Sequence, residues 1–139
     1  MKRIFCFLAL WAMTGAALAC NGDATYTSTN GAGVKTALFL TEDHFLGAPT
    51  WTPGAGEPPL TVGRAVSIAL DWAGRSLPKY DGVKFRDLQL ITYQCRRGQP
   101  RWYYRIDYLP IFDGNEVYGA RGWLAVLMDG SVVEPRVIE

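Results

Sequence analysis

Residues 101–109, RWYYRIDYL, alternate with period two, and a chain containing them has few folds open to it. Trp102, Tyr104, Ile106 and Tyr108 leave one side of an extended strand, while Arg101, Tyr103, Arg105 and Asp107 leave the other. Aromatic and β-branched residues suit a pleated, half-buried surface, so the stretch reads as a central strand with two different faces. Before it, Arg97-Gly98-Gln99-Pro100 supplies turn chemistry leading back to the equally long run 83–96. The spacing predicts a long antiparallel hairpin.

Other runs extend the sheet. Residues 117–128 and 131–138 follow two turn signals, Asp113-Gly114-Asn115-Glu116 and Asp129-Gly130. Upstream, residues 34–40 (VKTALFL) form a short apolar run, read as a first strand. Residues 61–77 carry Val62, Ala65, Val66, Ala69, Trp72 and Ala73 at helical spacing, with Thr61 placed to cap the start and Pro78 to stop the end. The small alanines allow close approach to a sheet, and Trp72 is the expected plug between the layers. The resulting order is β-α-β-β-β: an α+β fold with one helix on a curved antiparallel sheet of about four strands. A twelve-residue strand spans roughly 40 Å and a seventeen-residue helix roughly 25 Å, so the strands must curl or break, with Pro110 and Gly122 as the expected places.

The N-terminal residues bound where such a domain works. Lys2 and Arg3, an apolar run over 4–13 and the small-residue end Ala17-Leu18-Ala19 have the form of a secretory signal peptide, residues 1–19, cut before Cys20. The remaining 120 of 139 residues suit one domain, expected over 34–139, after a polar, flexible arm at 20–33. Without Lys2 and Arg3 the 14 basic residues become 12 against 13 acidic ones, which supplies no charge excess for nucleic acid. No later apolar run is long enough to span a membrane. Cys6 leaves with the signal, so Cys20 and Cys95 are expected to form a disulfide in an oxidising compartment. The rival role for Cys20 is a lipid anchor, as in an outer-membrane lipoprotein, but Ala17 stands where such a processing site has a branched aliphatic residue.

Chemistry is sparse. His44 stands beside Glu42 and Asp43 without a metal-ligand spacing, and no serine lies in a strand-to-helix elbow. Gly31-Ala32-Gly33 precedes a strand, whereas a phosphate loop opens a helix. No catalytic residue, metal or cofactor is assigned, and the chain reads as a non-enzyme. The loop 47–59 holds four of the eight prolines and Trp51, and is expected to fold back as a connector with Trp51 over the core.

From Thr61 onward, the helix text AVSIAL (65–70), the strand text WYYRIDY (102–108) and the final VLMDGSVVEP (126–135) resemble the PepSY and cystatin-like superfamily of small exported domains. The Gln-x-Val-x-Gly loop of the cystatins is absent. The resemblance implies a periplasmic or secreted, non-enzymatic domain that engages or inhibits a protein partner, an immunity-type role included. The alternative is a ligand-binding or enzymatic domain with a pocket on its sheet. The candidate binding surface is the face turned from the helix, where Tyr103, Arg105, Arg121 and Trp123 bring together the side chains common in interaction hot spots. The competing expectation is that the N-terminal arm or the Trp51 loop covers that face.

Overall fold

The computed structural model describes residues 23–95 and 100–139, so the expected signal peptide, Cys20 and the turn residues 97–99 lie outside the described part. Its centre is the expected hairpin, β3 (Gly82–Tyr93) against β4 (Arg101–Phe112), in antiparallel register from Gly82 opposite Ile111 to Tyr93 opposite Arg101. After β4, Asp113 and Gly114 both adopt positive φ (49° and 72°), the geometry of a tight two-residue hairpin, and turn the chain into β5 (Asn115–Glu116). A single 3-10 turn leads to β6 (Gly122–Leu127), which lies on the other side of β4 with Ile106 opposite Leu124. At the next turn Gly130, with φ 88°, sends the chain back as β7 (Val132–Val133). The main sheet therefore runs β3-β4-β6-β7, with β5 on β4.

One helix, α1 (Val62–Ser76), packs on this sheet, as the α+β class requires. The Thr61 side-chain oxygen accepts the Arg64 backbone N–H at 3.4 Å, and the helix stops before Pro78, whose ring disfavours helical backbone in the preceding residue. Ala65, Ala69 and Ala73 are completely buried and meet Tyr104, Ile106, Tyr108, Leu124, Val126 and Met128. Three methyl groups along one stripe let the backbone sit low over the large residues of β4. The expected stripe shifts at its ends: Val62 is 49% exposed, and Trp72 is half-buried at the margin of this core. At the other end the proline-rich loop folds back, with Trp51 edge-on to Trp102 at 5.8 Å and the Tyr104 hydroxyl donating to the Leu60 carbonyl at 2.8 Å.

The second face of the sheet is also covered. Tyr26–Thr29, in the stretch expected to be a flexible arm, forms β1 and pairs with β2 (Lys35–Leu38), and β2 pairs with β8 (Arg136–Val137) near the C-terminus. The arm is ordered there because Tyr26 gains partners that no local pattern announces, an edge-on contact to Trp123 (5.2 Å) and the Arg105 guanidinium (4.6 Å). This small sheet buries Leu38 and Leu40 with Phe45, Tyr93, Tyr103, Trp123, Ala125 and Leu127 in a second core. The first strand thus joins a separate three-stranded sheet instead of the one beneath the helix.

Long strands are accommodated differently from expectation. A bulge between Phe85 and Asp87 bends β3, whereas β4 runs unbroken through Pro110. Pro110 lies past the last β6 pairing, Tyr108 opposite Gly122, so its missing N–H removes no bond to β6. Gly122 begins β6 for a steric reason: a Cβ there would lie 2.5 Å from the Tyr108 ring.

Candidate functional site

The outward residues of β4 meet the small sheet, and their polar atoms form a buried cluster. Arg105 donates from Nε to Asp107 Oδ1 and from one terminal nitrogen to Asp107 Oδ2, both at 2.9 Å, a fork matched to a carboxylate on the next residue of the same strand face. Its other terminal nitrogen donates to the Tyr26 hydroxyl and, at 3.4 Å, to Gln89 Oε1 across the β3–β4 pair. Arg121 reaches Asp107 Oδ2 from the turn before β6. Arg105 and Asp107 are 8% and 3% exposed, so the pair is desolvated. Burial opposes the Arg105 charge, but the hydrogen bond and charge of Asp107, with Tyr26 and Asp87, outweigh it and raise the guanidinium above its usual range.

Beside this cluster opens a cavity of about 700 Å³. Its walls come from the β1–β2 turn, the C-terminal turn of α1, the start of β6 and the tail before β8. Trp72, Tyr108, Tyr118 and Trp123 supply aromatic surface, and Arg105, Asp107, Arg121 and Glu134 supply charge. The opening lies where β7, which pairs only with Ala125 and Val126, leaves the first half of β6 without a strand on the edge away from β4. Burial, and then the nearby Glu134 charge, push the Tyr108 hydroxyl above its ordinary pKa.

The four residues nominated from the sequence divide. Arg105, Arg121 and Trp123 line the cavity. Tyr103 is fully buried in the second core, where desolvation raises its hydroxyl to about 12 and that hydroxyl has no hydrogen-bond partner. Trp123 is 7% exposed, with its indole N–H donated to Thr36 Oγ1 at 2.9 Å. A flat docking face made of all four is therefore absent, because β1 and β2 cover Tyr103, Arg105 and most of Trp123; only Arg121 keeps a largely open side chain, 47% exposed. Sequence reasoning passed over Asp107, Tyr26, Tyr118 and Glu134. For Asp107 a signal existed, since Arg105 and Asp107 share one face of a strand two residues apart.

His44 is occupied structurally: its Nδ1 accepts the Thr41 backbone N–H at 3.0 Å in a capped 3-10 turn, Glu42–Phe45. Among the described residues no group of three or more His, Cys, Asp or Glu side chains could hold a metal, and no helix is long and apolar enough to cross a membrane. A smaller cavity, about 320 Å³, lies between that turn and Tyr93, Cys95 and Arg101.

Fold and site together define a small α+β domain with a helix and a second sheet on opposite faces of an antiparallel sheet and a cavity at the seam. No protein family, curated protein or solved structure matches this chain.

Proposed function

We propose that this protein is an exported, non-enzymatic binding domain whose ligand enters the cavity between helix, main sheet and small sheet. One observation carries the reading: a rigid, desolvated Arg105–Asp107 pair beside a cavity of about 700 Å³, with the half-open Arg121 and exposed Tyr118 at its wall. Cavities of roughly 300–1,000 Å³ with aromatic walls and a few convergent polar groups are the usual form of small-ligand sites. Buried charge in a fixed geometry orients a ligand without reorganising when it arrives. Arg105, Asp107 and Arg121 are tied to one another and do not stand as a separated acid and base, which supports binding over reaction.

The second reading is a protein partner that inserts a side chain into the same opening. It is favoured by Tyr118, 65% exposed on the cavity wall, since exposed tyrosines beside arginines are common anchors. Native mass spectrometry of the mature protein purified from cell envelope separates the two. A retained small molecule, lost in Arg121→Ala, is expected; a stoichiometric protein partner with an empty cavity would replace the first reading by the second.

A further inference from the structure

We infer that the cavity is built for a neutral saccharide, bound by stacking and by planar hydrogen-bonding groups. This rests on the cavity being the binding site. Its charge is balanced: Arg105 and Arg121 face Asp107 and Glu134, and three of these four are already tied together. A phosphate or carboxylate would have to share Arg121 with Asp107 and meet the Glu134 charge in the same lining, and an acyl chain would strip water from Arg121, Glu134 and the hydroxyls of Ser28 and Ser76 without replacing it.

A sugar fits both halves of the lining. Its C–H face stacks on an aromatic ring, and its neighbouring hydroxyls pair with flat, forked groups that donate or accept two bonds at once. Tyr118 offers an exposed ring and Trp72 a half-buried one in the lining of the cavity, one from the turn before β6 and one from α1. Arg121 commits one terminal nitrogen to Asp107, and its side chain stays 47% exposed, with further guanidinium donors left for a ligand. Asn30 in the β1–β2 turn uses its carbonyl oxygen on the Ala32 and Val34 backbone N–H groups, and its amide N–H₂ remains for a ligand.

The test is a glycan array with the mature protein, followed by ¹⁵N NMR titration with its best neutral hits and with chitobiose, maltose, cellobiose and lactose. Parallel titrations use inorganic phosphate, citrate and decanoate. At least one saccharide is expected to move the Gly122 amide and the Trp72 and Trp123 indole resonances saturably. Tyr118→Ala and Arg121→Ala should each weaken that binding about tenfold at unchanged melting temperature. If phosphate, citrate or decanoate moves those resonances and no saccharide does, the saccharide assignment falls while the cavity stands as a site. If no probe moves them and no array glycan binds, both fall.

Discussion

Arg105 is the residue on which the two halves of the molecule meet. Its guanidinium lies 4.6 Å from the Tyr26 ring centre and 6.0 Å from that of Trp123, while its fork holds Asp107. Removing one partner of a buried pair strands the other charge, so Arg105→Ala should cost about 3–5 kcal/mol in urea unfolding, and the Arg105→Ala, Asp107→Ala double variant less than the sum of the two singles. Tyr103 gives the opposite case. Its hydroxyl is buried without a partner, so Tyr103→Phe should leave stability unchanged or raise it by about 1 kcal/mol. Its effect on pH dependence follows from the raised folded value of about 12. Below the unfolded tyrosine value near 10 the contribution is complete; between about 10 and 12 the unfolded chain ionises first and stability is lost. Alkaline unfolding of Tyr103→Phe should therefore show a fall about 2–3 kcal/mol shallower across that window.

At the level of elements, close approach is bought by small residues at two places. Ala69 lies fully buried between α1 and the main sheet, and Ala69→Leu should destabilise by about 1–3 kcal/mol because the sheet beneath cannot yield evenly. Gly122 plays the same part where β6 begins. Gly122→Ala drives a methyl into the Tyr108 ring, and thermal unfolding should show a loss of similar size, about 1–3 kcal/mol, relieved when Tyr108 is shortened to Leu. The edge strand β3 illustrates a different control. Its bulge and its charged residues Lys84, Arg86 and Asp87 interrupt the row of free backbone groups that a long edge would offer another chain.

For the whole molecule, a bridge between Cys20 and Cys95 would have the largest consequence for stability. Cys95 stands two residues past the end of β3 and packs against the second core, the same core that β1 and β2 close. A bridge to Cys20 would anchor the residues ahead of β1 there and, in the chain-entropy model, stabilise by ~4.5 kcal/mol. With that bridge formed, the protein purified from an oxidising compartment should weigh two hydrogens less than its reduced form and melt at a lower temperature after reduction. A diacylglyceryl mass on Cys20 would instead identify an anchored lipoprotein.

Local pattern alone determined the helix, the β3–β4 hairpin, the Asp-Gly turns and the division of β4 into two faces, because periods of 3.6 and 2.0 and positive-φ turn positions are properties of neighbouring residues. Only the tertiary structure decided what covers the other face. Strands of four and two residues, such as β1, β2 and β8, are too short to show a period, and their partners stand far away in the chain: Ala37 opposite Arg136, Tyr26 against Arg105. The cavity belongs to the same class of fact. It lies where β7 ends its pairing early and where helix, turn and tail leave a gap, and a gap between distant segments has no signature in any one of them.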